Sequence, residues 1–506
     1  MKKYLLFLVT LPLFSSAGII NVKNFGARGD GKTDDTRAIQ AAIEAAPYNR
    51  LNTIYFPKGL YVLKSYTITS NYLENYILKM HSNLSFKGDG NTSIIKLGDH
   101  LFDTDDKNAT AQLFYGTTVF NIRFSNLMVD MNGANNLCPA SRVKNQRAIF
   151  INHGNDVTIE NVTIKNNAGL NMIMIAGKGS RVLVQNNTFL NGGHYVGVDQ
   201  ENKNQVDFSF IYFEWDSTRI VNNIIRQENI DIALNGITGG IEIHGSYCYA
   251  AGNKLTGCSP GIYVTSSWHD MKNTIVEKNE FIQCTKGVSF WLSHGMDSIK
   301  IIDNKIQLTP YRQWKGYTSN GIEVPNGNTY VYDTEHANGN YIKNLTISGN
   351  TITAPFTETM TDRTCGMMLH SLYSCNIENN IITGMNFGGI LLFGSKWGSE
   401  NVNIKNNQFI NFTDNIDKAS TVGYLVVFDS YTKNKNDGPG IKNIVFSNND
   451  LKKADKNARL AVQNNKEKGR FTGAFIAVPE YMLKEVHFES NSFPDAAEQP
   501  VYQTLK

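Results

Sequence analysis

The chain of 506 residues has little of what marks out whole classes of protein. It has 6 cysteines and 12 prolines. So few thiols fall far below a disulfide scaffold, and few prolines with no Gly-X-Y period among 42 glycines exclude collagen-like sequence and a proline-rich linker architecture. Charge of one sign is lacking too: 48 Lys and Arg against 45 Asp and Glu leave +3, which gives no basic footprint for nucleic acid. Beyond the first 17 residues no apolar run approaches the ~20 residues that a membrane span needs. What is present, 41% hydrophobic and 18% charged residues, excludes a disordered chain and leaves a folded, turn-rich protein able to bury a large core.

The chain opens with Met1-Lys2-Lys3, an apolar stretch from Tyr4 to Phe14, and Ser15-Ser16-Ala17 before Gly18. That order of charged, apolar and small residues predicts a signal peptide over residues 1–17 and a secreted protein, extracellular or periplasmic, with no membrane association after cleavage. Export permits disulfides among Cys138, Cys248, Cys258, Cys284, Cys365 and Cys375, but their sparseness predicts reduced core residues. Cys258 and Cys284 each precede a strand glycine, Gly261 and Gly287, by three residues, so they are expected to stack on adjacent repeats.

From about residue 148 one phrase recurs: Gly-Ile-x-Val, a polar stretch, an alternating apolar segment, then Asn. The Asn falls at 187, 223, 253, 279, 304, 350, 380, 407, 449 and 491, in steps of 36, 30, 26, 25, 46, 30, 27, 42 and 42 residues. Short steps are single coils and long ones carry loops. Units of this length with period-2 strands and no helical pattern bury their apolar faces only by stacking, which predicts an all-β parallel β-helix, a solenoid with a column of scaffolding asparagines. Asn at such a turn tolerates left-handed backbone and hydrogen-bonds the Asn of the next coil.

The strands after the turns place one variable residue between two apolar ones: Ile211-Tyr212-Phe213, Ile241-Glu242-Ile243, Ile262-Tyr263-Val264, Val288-Ser289-Phe290, Ile322-Glu323-Val324, Met367-Met368-Leu369, Ile390-Leu391-Leu392 and Leu425-Val426-Val427. Alternation sends the flanks into the core and the middle residue outward. Before the repeats, Asn24-Phe25-Gly26-Ala27-Arg28-Gly29-Asp30-Gly31 leads through Thr33-Asp34-Asp35-Thr36 into Ala38-Ile39-Gln40-Ala41-Ala42-Ile43, a glycine-rich turn and a helix expected to cap the open end of the solenoid. The glycines lack the Gly-Lys-Ser/Thr ending of a phosphate cradle. The chain therefore reads as residues 1–17 signal peptide, 18–75 N-terminal cap and first coils, and 76–506 β-helix with loop insertions.

That opening, with the coils behind it, resembles the pectate-lyase-like superfamily of secreted and phage-borne polysaccharide-degrading enzymes. The resemblance implies a right-handed, single-stranded parallel β-helix, a long carbohydrate substrate, and either hydrolysis or β-elimination. The Asn-Thr-Asp, Asp-Asp, Gly-His-Gly and Arg-Ile-Lys signatures of polygalacturonase-type members are not in suitable places, so no catalytic roles carry over.

The outward columns, read in order, pair Tyr212 with Glu214, Glu242 with His244, Tyr263 with Thr265, Ser289 with Trp291, Glu323 with Pro325 and Met368 with His370. Glu214 and Glu242 fall on neighbouring coils, ~4.8 Å apart in the stacking direction and ~6.6 Å along the strand, or roughly 8 Å between stems. That lies within the ~6.5–9.5 Å of inverting glycosidases, where a water fits between base and sugar. Glu242 and Glu214 are the expected acid and base, with Asp216 assisting and His244 orienting an acid or acting as a base. A neighbouring Lys or Arg would make either acid an ordinary ion pair. Tyr212, Tyr263, Trp268, Trp291 and Trp314 are candidates to stack on sugar rings, with Glu323 and His370 as further substrate contacts. Asp103, Asp105 and Asp106 form an acidic loop without EF-hand spacing, so no metal or other cofactor is expected, with calcium the one alternative. The reading that leads is a secreted glycoside hydrolase acting on a polysaccharide. A lyase using His244, Tyr212 or Tyr263 on a uronic-acid glycan, or a non-catalytic carbohydrate-binding solenoid, are the alternatives. The sequence leaves the oligomeric state open.

Overall fold

The structure, a computed structural model, describes residues 18–102, 109–136, 146–192, 208–228, 238–310, 318–325, 341–355, 363–385, 387–394, 398–410, 426–429, 440–451, 476–492 and 502–505. The proposed signal peptide, Cys138, Trp314 and the Asp103–Asp106 loop lie outside these residues.

The middle coils run through short strands separated by bends, whereas Gln112–Ser125, Ile149–Glu160 and Ile173–Gln185 each join two such strands into one. A representative coil has Phe208–Phe213, Asp216–Val221 and Ile224–Arg226, and the next has Thr238–Ile243, Tyr249–Ala251 and Lys254–Thr256. Every strand pairs in parallel with its counterpart one coil on, so that Tyr212 faces Glu242, Arg219 faces Tyr249 and Ile225 faces Leu255. The described strands form one parallel sheet of 29 strands and a second of 13. This is the expected parallel β-helix. The sheet continues across residue 75, since Asn52–Phe56 pairs with Leu84–Gly88.

The apolar flanks of the variable positions are buried as read, from Ile211 and Phe213 through Met367 and Leu369. One coil is shifted. Val426, expected to face outward, is buried and aligns with buried Ile390, while Leu425 lies outside the described residues. Three successive apolar residues carry no alternation, and there only pairing with the neighbouring coil sets the register.

The asparagine column is a continuous ladder. Each Nδ2 from Asn187 to Asn449 donates to the Oδ1 of the next ladder residue at 2.9–3.1 Å, ending on Asn491. The same Nδ2 also reaches a main-chain carbonyl of the preceding coil, as Asn279 does to Ala250 at 2.9 Å. The expected left-handed backbone, however, is not at these residues. It belongs to the residue before each one: Asn186, Asn222, Gly252, Lys278, Asp303, Gly349, Asn379, Asn406, Asn448 and Ser490. The preceding residue makes the turn, which aims the ladder side chain inward where no water can satisfy it and its neighbours must.

The recurring glycine has a packing cause. Gly240, Gly261, Gly287, Gly321 and Gly366 stack where the coil bends, and a Cβ on Gly287 would lie 2.5 Å from the Gly321 carbonyl oxygen and 2.8 Å from Ile306. Cys258 and Cys284 are buried, free and adjacent.

At the N-terminus the helix Thr36–Glu44 buries Ile39, Ala42 and Ile43. Gln40 clips it to the edge of the stack: its side-chain amide donates to the Lys79 carbonyl at 3.3 Å and accepts the Lys79 N–H at 2.8 Å, as a neighbouring strand would. The glycine-rich turn cradles carboxylates of the chain itself. Buried Asp35 accepts the Arg28 and Gly29 amides, and Asp30 accepts those of Lys32 and Thr33. Among the described residues, no helix is long and apolar enough to cross a membrane and no group of three His, Cys, Asp or Glu could hold a metal ion.

Candidate active site

The outward residues of the first strand in each coil form columns along the axis. One column runs Phe150, Met174, Tyr212, Glu242, Tyr263, Ser289, Glu323, Met368 and Leu391. Two positions further along each strand is a second column that includes His244, Thr265, Trp291, His370 and Phe393. A third, three positions before the first, includes Arg147, Asn171, Ser209, Lys286, Asn320 and Cys365.

Tyr212, Glu214, Glu242 and His244 come together on adjacent coils. Glu242 Oε1 is 2.8 Å from His244 Nε2, and its Oε2 accepts the Ser209 hydroxyl at 3.0 Å. Ser209 in turn takes a hydrogen bond from Asn171, whose Oδ1 accepts from Arg147 at 3.3 Å. A polar chain of side chains therefore runs from Arg147 to His244. Glu214 accepts the Tyr212 hydroxyl at 2.8 Å and the Gly177 N–H. Among the described residues neither acid pairs with a lysine or arginine. Burial, reinforced by the Glu214 carboxylate, pushes the Tyr212 phenol far above its ordinary range. Burial also pushes the Arg147 guanidinium down to about 10, against the pull of nearby Tyr212, which leaves it charged at neutral pH.

The face is not the open, solvated one that alternation implies. Glu242 is 7% exposed and His244 4%. Trp268 accounts for part of the cover: its Nε1 stands 3.5 Å from the Tyr212 hydroxyl two coils back, so the indole spans the coil that carries Glu242 and His244 while remaining 66% exposed itself. Tyr263 occupies the next place in the Glu242 column, and Trp291 the place beyond Thr265.

Three candidates stand apart. Asp216 lies past the bend at buried Trp215, exposed, with its carboxylate taken by the Ser246 N–H at 2.7 Å. Glu323, expected as a substrate contact, is ion-paired with Lys286. Burial works against its charge, but the Lys286 ammonium and hydrogen bonds from Ser289 and Asn320 outweigh this and hold the carboxyl below its usual range. His370 is stacked on Phe393 with ring centroids 4.6 Å apart, and burial pushes it down to about 4.

Residues 19–289 match the model of a family described as rhamnogalacturonase A/epimerase, pectate lyase-like. The chain belongs to that family. Among curated relatives it is similar to plasmin and fibronectin-binding protein A of Streptococcus pneumoniae, 36% identical over 34% of this chain and 24% of that protein. It is also similar to mannuronan C5-epimerase AlgE2 of Azotobacter vinelandii, 38% identical over 23% of this chain and 11% of that protein. The chain thus spans a quarter or less of these relatives' length. Among solved structures it is similar to a mutant tailspike protein of E. coli bacteriophage HK620 in complex with a pentasaccharide, with a TM-score of 0.69 and 15% identity over 95% of this chain and 77% of that one. The A-module of Azotobacter vinelandii mannuronan C-5 epimerase AlgE4 matches with a TM-score of 0.51 and 16% identity over 83% and 99%. At these identities the two structures speak for the fold. Within the pectate lyase-like family, then, this chain carries an acid and histidine cluster on the outward columns around Tyr212 and Glu242.

Sequence reasoning missed Arg147, Asn171 and Ser209. Strict alternation predicts outward residues two apart, whereas two successive residues face the core here, Ala148 with Ile149, Met172 with Ile173 and Phe210 with Ile211, so the residue three positions before the outward one lies in an outward column as well.

Proposed function

We propose that this protein is an exported polysaccharide-cleaving glycoside hydrolase whose acid and base are Glu242 and Glu214. The observation that carries the reading is the pair itself: two carboxylates on adjacent coils, offset by two strand positions, with no lysine or arginine paired to either among the described residues. Their partners divide the roles. The Gly177 N–H and the Tyr212 hydroxyl both donate to Glu214 and orient its carboxylate, which suits it to be the base that activates water. Glu242 meets a hydroxyl and a histidine nitrogen, either of which donates or accepts, so it can carry the proton for the departing glycosidic oxygen, with His244 returning it. Family membership and the pentasaccharide bound to the tailspike support a glycan as substrate.

One observation favours β-elimination on a uronate instead: buried, charged Arg147 beside Tyr212 could neutralise a substrate carboxylate. The un-ionised Tyr212 argues against a tyrosine base for that reaction. Digestion of neutral and acidic polysaccharides with product mass spectrometry decides. Hydrolysis leaves products heavier by one water and saturated, whereas unsaturated, ultraviolet-absorbing ends would replace this proposal with the lyase.

A further inference from the structure

A second polar cluster occupies the same face, and the proposed chemistry does not use it. Glu242, Tyr263, Ser289 and Glu323 follow one another in a single column, so Glu323 stands three coils, roughly 14 Å, beyond Glu242 along the axis. Around it Lys286 pairs with one carboxylate oxygen, which also takes the Ser289 hydroxyl at 2.9 Å, and the Asn320 Nδ2 donates to the other at 3.1 Å. Elsewhere in this column the chain places Met368 and Leu391, so nothing in the fold demands charge here. A buried ion pair is a poor stabiliser relative to such apolar residues.

An independent observation points outward from the cluster. Asn320 is 1% exposed, and its Oδ1 has no hydrogen-bond partner among the described residues. A buried, vacant acceptor costs free energy unless something supplies a donor. Its own Nδ2 is committed to Glu323, so turning the amide over would only put the acceptor against the carboxylate. Trp291, on the same strand as Ser289 and 37% exposed, offers a flat apolar surface at the edge of the cluster. A vacant acceptor, a charged pair rich in hydrogen-bonding capacity and an aromatic plane are together what a sugar ring presents partners for: hydroxyl donors, hydroxyl acceptors and an apolar face.

We propose that Lys286, Asn320, Glu323 and Trp291 form a distal subsite that binds a sugar unit of the same polysaccharide several rings from the bond cleaved at Glu214 and Glu242. It rests on the proposed function in that the chain must lie along the solenoid axis. The subsite makes the enzyme prefer long chains over short ones, and it fixes which stretch of polymer crosses the acid pair.

The test uses the full chain with Glu242→Gln, so that binding is read without cleavage. Its affinity is measured calorimetrically for size-fractionated oligogalacturonate, oligoalginate and oligodextran ladders of two to eight rings. Asn320→Ala, and separately the charge-neutral double change Lys286→Met with Glu323→Gln, are introduced into that background, with thermal melting to follow the fold. The expected result is affinity that rises with length in the parent, and about tenfold weaker binding of the longest bound ladder in each variant, with the shortest bound oligomer unaffected. Length-dependent binding that neither variant alters overturns the subsite and leaves the proposed function standing. Equal loss at every length also overturns it, because the cluster would then act through the fold. A parent that binds none of the ladders overturns both.

Discussion

His244 and Glu242, two residues apart on one strand end, share a 2.8 Å contact between Nε2 and Oε1, while the other ring nitrogen of His244 is buried without a hydrogen-bond partner among the described residues. The carboxylate fixes one side of the ring and leaves Nδ1 vacant toward whatever enters the site. His244→Gln is therefore expected to lower turnover about 10²-fold or more, the scale of a lost proton-transfer partner, with little change in melting temperature. Steady-state kinetics on a cleaved glycan checks this. Unchanged turnover would reduce His244 to a packing residue.

Trp268 covers the coil of Glu242 and His244 yet keeps most of its surface in solvent. Trp268→Ala should raise KM about tenfold, with kcat changed less, because a stacking surface holds ground and transition states alike. A fall in kcat at constant KM would instead make Trp268 part of the chemistry.

The Asn279 side chain makes four ladder contacts: it accepts the N–H and Nδ2 of Asn253 and donates to Asn304 and Ala250, all at 2.9–3.0 Å. Asn279→Ala leaves several buried donors and acceptors unmatched and should cost about 3 kcal/mol or more in denaturant unfolding. A cost near zero would show that the ladder is not a source of stability.

His370 supplies an acid-sensitive element. Its folded value, about 4, lies below the ordinary 6.5, so the unfolded chain binds the proton more readily. Stability should therefore fall as pH drops from about 6.5 towards 4 and level off below, by up to about 3 kcal/mol from this group. Glu323, held below its usual range, adds to the loss at still lower pH as it protonates. Thermal melts across that window should show a shallower acid limb for His370→Gln than for the wild type, and identical limbs would contradict the assignment.

Much of this architecture was legible because it repeats. Ten asparagines in register and a glycine before many of the strands announce stacked coils, and the register pairing Tyr212 with Glu242 follows from apolar residues on both sides. The failures have physical causes. The left-handed residue precedes the ladder asparagine because the turn must be made before the side chain is aimed inward. The uniformly apolar strand at Val426 carried no alternation to read. Ion pairing was visible only in space: Lys286 neutralises Glu323 from the adjacent coil, 37 residues away, while no lysine or arginine among the described residues reaches Glu214 or Glu242. Cover over the site comes in part from Trp268, a loop residue reaching back two coils, which no strand pattern encodes.

The most direct measurement compares wild type with Glu242→Gln and Glu214→Gln on a polysaccharide the wild type cleaves. Loss of about 10²- to 10⁴-fold in turnover by each variant, with oligosaccharide binding retained, is the predicted result. Full cleavage by either variant would show that the reaction is carried elsewhere on the solenoid.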